Sequence, residues 1–165
     1  MSAAALSLGL LLAAAADVRG AQTACALLTT EEVRAVQGEP VEERTPSEAS
    51  RAFRVAQCFY RMPTFAKSVS IALAVPLPGD AARSGPRAYW RDTFHRTRDN
   101  PRPVPDLGDE AFWVGDRVTG ALYVLRGDAF LRLSIGGVTD EAVRIKRART
   151  LAENALPRLP GGPGR

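Results

Sequence analysis

Only two cysteines occur in the chain, Cys25 and Cys58, and both follow a stretch from Leu6 to Ala16 that is almost wholly Leu, Ala and Gly. That stretch is too short to cross a bilayer as a free helix, which takes about 20 apolar residues, so it reads as the apolar core of an export signal. Ala14 and Ala16 allow cleavage after Ala16, and Val18 and Gly20 offer a second site after Gly20, so residues 1–20 are expected to be a signal peptide. Export places the two thiols in an oxidising compartment, periplasmic or secreted, where a lone pair is expected to close a disulfide. On chain entropy, a bridge from 25 to 58 stabilises the fold by about 3.5–4 kcal/mol, a large part of a small domain's stability. Lipid attachment at Cys25 is not expected, because Gln22 stands where a lipobox carries Leu.

Without its leader, a chain of 165 residues is long enough for one domain with its own core and too short for two ordinary ones. Residues 24–157 are expected to form it, with 158–165 as a flexible tail. The charge is unevenly spread. Residues 17–50 carry seven acids and three bases, and residues 51–103 carry ten bases and three acids. A basic middle is what a polyanion-binding face would need, with Arg83, Arg87, Arg91, Arg96 and Arg98 as its candidates. Yet Lys67 and Lys146 are the only lysines among 22 basic residues, which fits an Arg-biased solvated surface, and no nucleic-acid partner is expected.

The local signals are clear in several places. Thr29 caps a helix, Glu32 completes a capping box, Leu28 and Val33 form a hydrophobic staple, and Gly38 stops the helix near Gln37. Val55 to Arg61, rich in β-branched and aromatic residues, is a strand carrying Cys58. Ser68 to Val75 alternates, with Val69, Ile71, Leu73 and Val75 on one face. Gly85 and Pro86 open a second helix, with Tyr89, Trp90, Thr93, Phe94 and Thr97 along one side. After the connector from Asn100 to Pro105, strands are expected near Ala111 to Val114, Ala121 to Leu125 and Ala129 to Ile135, with Gly127 and Asp128 as a hairpin turn. The last helix begins at Thr139 or Asp140, with Ala142, Ile145, Ala148, Ala152 and Ala155 inward and Arg144, Arg147 and Arg149 outward, and ends at Pro157. The expected fold is α+β: an antiparallel sheet of five or six strands covered mainly on one face by two or three helices. Both halves give strands followed by a helix, an internal echo of a duplicated half.

No complete catalytic or cofactor motif stands in the sequence, and no cofactor or metal is expected. Tyr89, Trp90, Phe94 and Trp113 are the candidate surface for a ligand or partner. Asp106, Asp109 and Glu110 form an acidic loop that offers three carboxylates to a cation such as Ca²⁺, without the alternating ligands of an EF-hand. A plain turn feeding a strand accounts for the same residues. Cys25, Cys58 and the only histidine, His95, are alternatively a zinc set or a thiol–histidine pair, though no closely spaced pair supports this. Arg126, Gly127 and Asp128 spell an adhesion tripeptide at a hairpin tip, for which turn geometry is already a sufficient reason.

Three stretches carry a family resemblance: Cys25-Ala26-Leu27-Leu28-Thr29-Thr30-Glu31-Glu32-Val33 through Gly38, the Cys58-Phe59-Tyr60 strand, and Val104-Pro105-Asp106-Leu107-Gly108-Asp109-Glu110-Ala111-Phe112-Trp113. Over roughly residues 24–157 the chain resembles small bacterial envelope proteins and lipoproteins of unknown function, best known from actinobacteria. The resemblance implies an exported α+β domain with a helix-to-strand disulfide and transfers no activity. The expected function is a non-enzymatic binding or accessory domain of the cell envelope, contacting an envelope protein or a small ligand, with no stable membrane span after cleavage. The alternatives are a hydrolytic enzyme using His95 with Asp106 or Asp109, and a polyanion-binding protein.

Overall fold

Alternation in the strand sequences puts apolar side chains on both sides of a single sheet, and the helices divide between its two faces accordingly. The computed structural model describes residues 24–50, 52–78, 85–95, 101–116 and 118–159. The leader, Arg83, Arg96, Arg98 and the tail from residue 160 lie outside the described residues.

Helix α1 is Thr30–Gln37. The Thr29 Oγ1 accepts from the Glu32 amide at 3.2 Å and the Glu32 carboxylate accepts from the Thr29 amide at 2.8 Å, the reciprocal capping box. Gly38 ends the helix at φ +79°, a left-handed conformation that glycine adopts without steric cost. Strands β1 (Glu43–Ser50), β2 (Arg54–Arg61) and β3 (Val69–Val75) then form an antiparallel meander. Helix α2 (Pro86–Phe94) starts with proline in its first turn, as Gly85-Pro86 predicts. Strands β4 (Arg102–Pro103), β5 (Glu110–Gly115), β6 (Gly120–Arg126) and β7 (Ala129–Ile135) form the second half, and α3 (Glu141–Ala155) closes the domain, capped by Asp140.

The seven strands lie in the order β1-β2-β3-β7-β6-β5-β4, every neighbouring pair antiparallel. The fold is therefore α+β with an antiparallel sheet, but the sheet has seven strands instead of five or six. The extra ones are both edges. β1 reads Glu-Arg-Thr-Pro-Ser-Glu-Ala-Ser, has no apolar alternation and is exposed along nearly its whole length. β4 is two residues long. Pro46 and the charges of β1 blunt an edge that would otherwise template pairing with another chain. The echo between halves holds for the strands: two three-stranded meanders, β1-β2-β3 and β5-β6-β7, join through their third strands.

Odd and even positions of the central strands feed two different cores. On one face Cys58, Tyr60, Ile71, Leu73, Trp113, Leu122, Leu131 and Leu133 pack with Val33 of α1 and with Ala148, Leu151, Ala152 and Ala155 of α3. On the other, Ala74, Leu125 and Phe130 pack with Trp90 and Phe94 of α2. Coverage is thus not confined to one face, because α2 lies opposite α1 and α3. Phe130, on the α2 side of β7, is 6% exposed for that reason. The outward row expected on α3 also needs correction. Ala142 is exposed, while Arg144 is 1% exposed and belongs to the buried face.

Cys25 sits in a helical turn at residues 24–26 and is bridged to Cys58 of β2, with their Cα atoms 5.0 Å apart across a sequence separation of 33. Around the bridge, side chains cap the carbonyls of the N-terminal segment. The Tyr60 hydroxyl donates to Leu28 O at 2.9 Å and approaches Cys25 O at 3.3 Å, and Arg158 donates to Leu27 O at 2.9 Å. Arg158 also forms a two-pronged ion pair with Glu32, at 2.7 and 2.8 Å. That hydrogen bond holds the Glu32 carboxyl down at about 2. Arg158 and Leu159, placed by the sequence in a loose tail, are instead held to the domain, the exposed Arg158 by its bonds to Leu27 O and Glu32 and Leu159 by burial, at 6% exposed.

Candidate functional site

Two cross-strand rows on the α2 side of the sheet behave differently. The first, Val55–Ala74–Phe130–Leu125, runs under α2, and its last three members are buried. The next row, Gln57–Ala72–Arg132–Tyr123–Phe112, is part-exposed at every position. The nine-residue α2 lies over the first row and reaches the second only at its Tyr123–Phe112 end, through Trp90 and Phe94.

Aromatic side chains build the boundary between the rows. Trp90 and Phe94 are 4.5 Å apart between ring centres, and Phe94 stacks on Phe112 at 5.2 Å and meets Tyr123 at 5.0 Å. At the other end of α2, Tyr89 stacks on Phe130 at 5.7 Å and meets Phe53 edge-on at 5.4 Å, yet remains 43% exposed. Three of the four candidate aromatics, Tyr89, Trp90 and Phe94, are therefore brought together. Trp113 is not: it lies on the opposite face, 1% exposed, its indole Nε1 donating to Glu141 at 3.3 Å. Phe112, the neighbour of opposite parity, takes its place.

Glu110 fixes the C-terminal end of α2. Its Oε2 accepts from the Trp90 indole at 2.5 Å and pairs with His95 Nε2 at 2.9 Å. Burial pushes the Glu110 carboxyl up, but the hydrogen bonds from Trp90 and His95 outweigh it and hold it below its ordinary value. The partner of His95 is thus Glu110, not Asp106 or Asp109. Asp109 accepts from the Gly127 amide at 2.7 Å and faces Arg87 at 3.7 Å. Asp106 has φ +57°, its main chain clamped as Arg149 donates to Pro105 O at 2.9 Å and to Asp106 O at 3.1 Å. The Asp109 and Glu110 carboxylates go to different partners while Asp106 is held by its main-chain carbonyl, and among the described residues no group of three or more His, Cys, Asp or Glu converges as a metal site would require. The disulfide removes both thiols from the zinc and thiol–histidine alternatives.

Of the basic candidates, Arg87 and Arg91 are described, and both face carboxylates: Arg87 faces Asp109 and Asp128 at 3.7 and 3.6 Å, and Arg91 faces Asp92 at 3.7 Å. The hairpin tip has the geometry of a two-residue turn with glycine first, Gly127 at φ +57°, and Arg87 also donates to Gly127 O at 3.2 Å. Two open depressions occur elsewhere. One of about 480 Å³ follows residues 103–112, and one of about 370 Å³ is lined by Cys25, Ala26, Arg44 and Pro46.

Sequence reasoning missed Arg132, Tyr123, Gln57 and Phe112. Arg132 Nε donates to the Tyr123 hydroxyl at 3.0 Å, with the guanidinium carbon 5.8 Å from that ring's centre, and Gln57 donates to Ser70 Oγ at 3.0 Å. The available signal was the run Ser70, Ala72, Ala74 on the second face of β3: small side chains there leave neighbouring strands standing above a low centre. Comparison with protein-family models, with curated proteins and with solved structures finds no match to this chain.

Proposed function

We propose that the chain is an exported, non-enzymatic binding or accessory domain of the bacterial cell envelope, periplasmic or secreted, which holds a small ligand on the α2 side of its sheet. The observation that carries this is the part-exposed row from Gln57 to Phe112 beside a row whose last three members are buried under α2. It joins an aromatic wall, Phe112 and Tyr123, to a floor of Ala72 and Ser70, the mixture of apolar surface and few polar groups that small-molecule sites use. The Cys25–Cys58 bridge supports export, since disulfides persist in oxidising compartments. Among the described residues no helix is long and apolar enough to cross a membrane.

The pairing of His95 with Glu110 gives the hydrolytic alternative a different partner from the one its sequence offered. Glu110 is occupied by Trp90 as well, which suits an anchor for α2 better than a base awaiting a substrate proton.

N-phenyl-1-naphthylamine, a neutral fluorophore that brightens in apolar surroundings, tests the binding face. Saturable enhancement is expected, and Ala72→Phe, which fills the low centre of the row, is expected to abolish it while the melting temperature stays within a few degrees. Absence of binding, or binding indifferent to Ala72→Phe, overturns the proposal.

A further inference from the structure

Arg132 stands in the middle of the open row, between Ala72 on β3 and Tyr123 on β6. A guanidinium has five N–H donors. One of them, at Nε, goes to the Tyr123 hydroxyl, and among the described residues the remaining four find no acceptor and no carboxylate. Its neighbours on that face are small or neutral: Ala72 opposite, Ser134 two residues along its own strand, Ser70 diagonal to it.

The other basic side chains of this face differ. Arg87 faces Asp109 and Asp128, and His95 pairs with Glu110. On the opposite side of the sheet Arg144 also lies over an aromatic ring, but its guanidinium donates to Asp116 O at 2.6 Å and the residue is closed off from solvent. Arg132 is part-exposed, oriented by Tyr123 and, among the described residues, without a counter-ion. A planar fork of this kind matches a carboxylate or sulfonate bidentately and gains strength where water is partly excluded.

We infer that the occupant of the proposed site is a soluble amphipathic organic anion, its charged head taken by Arg132 and its apolar body laid against Ala72, Tyr123 and Phe112. This rests on the binding face proposed above and adds the charge of the ligand.

Two probes with one aromatic body separate the two claims: N-phenyl-1-naphthylamine is neutral, and 8-anilino-1-naphthalenesulfonate carries one sulfonate. The full mature protein is expected to bind the sulfonate at least tenfold more tightly. Arg132→Gln should remove that preference and leave the neutral probe within twofold, and Arg132→Lys should restore part of it. Ser134→Asp, which supplies a counter-ion beside an intact Arg132, should act like Arg132→Gln and covers the case in which Arg132→Gln does not fold. Equal affinity for the two probes, or a preference that survives both variants, overturns the inference while the binding face stands. Failure of both probes to bind overturns the face and the inference together. Arg132-dependent cosedimentation with phosphatidylglycerol vesicles, without binding of the sulfonate probe, would assign the cation to a membrane surface and likewise overturn the inference.

Discussion

The guanidinium carbon of Arg144 lies 5.7 Å from the ring centre of Trp113, and both residues are 1% exposed. A buried cation needs partners. Arg144 has Asp116 O as an acceptor, while its Nε has none. Glu141 and Asp116 supply negative charge nearby; hydrogen bonds from Arg102 to Glu141 and from the Thr119 and Val118 amides to Asp116 are the main reasons both carboxyls stay below their ordinary values. Arg144→Ala is expected to cost about 3 kcal/mol, since it opens a void under Trp113 and strips Asp116 O of its donor. Arg144→Met keeps most of the volume and removes the buried charge, and is expected to stay within about 1 kcal/mol of the parent. Denaturant midpoints decide it; equal losses for the two variants would show that the charge, not the packing, holds α3 to β5.

Tyr60 predicts an alkaline limit. Burial pushes its hydroxyl from 10.0 up to about 12, so the neutral form is favoured in the fold. The associated stability is complete below pH 10 and is lost as pH rises towards 12. Tyr60→Phe is expected to cost about 1–1.5 kcal/mol at neutral pH by leaving Leu28 O without its donor, and to flatten the fall in denaturant midpoint between pH 10 and 12. An unchanged alkaline slope in the variant would refute the assignment.

Glu32 predicts an acid limit of opposite sign. Arg158 holds its carboxyl at about 2 instead of 4.5, so the contribution is present above pH 4.5 and is lost as pH falls towards 2. The side chains are 22% and 39% exposed, so solvent screening limits the pair to about 1 kcal/mol. Glu32→Gln should lower the neutral-pH midpoint by that amount and flatten the acid slope, read from unfolding curves at pH 7 and pH 3.

The disulfide predicts the largest single loss. Replacing Cys25 and Cys58 together by serine should lower stability by about 3–4 kcal/mol. A loss under 1 kcal/mol would mean that the Tyr60 and Arg158 contacts hold the N-terminal turn to β2 unaided.

Much of the fold was legible in local chemistry. Thr29, Glu32 and Gly38 delimit α1 because capping depends on neighbours in sequence, and Val69 to Val75 reads as a strand because one of its faces is apolar. β1 was not legible: an edge strand pairs on one side, faces water and needs no apolar face. Nor was the position of α2. Tyr89, Trp90 and Phe94 declare a buried stripe but not which side of the sheet receives it, and that choice decides the fate of Phe130, Phe112 and Trp113. Arg144 was read as solvent-facing, since a basic residue near others in sequence is usually on a wet surface, and Arg132 carried no signal that singled it out. Arg144 is buried and satisfied at a terminal nitrogen; Arg132 is half-open and, among the described residues, without a counter-ion, a difference set by strands far away in sequence.

Amide chemical-shift mapping with N-phenyl-1-naphthylamine tests the binding face most directly. The largest shifts are expected at Gln57, Ala72, Arg132 and Tyr123. Shifts centred instead on residues 103–109, on the depression lined by Cys25 and Arg44, or on α3 would contradict it.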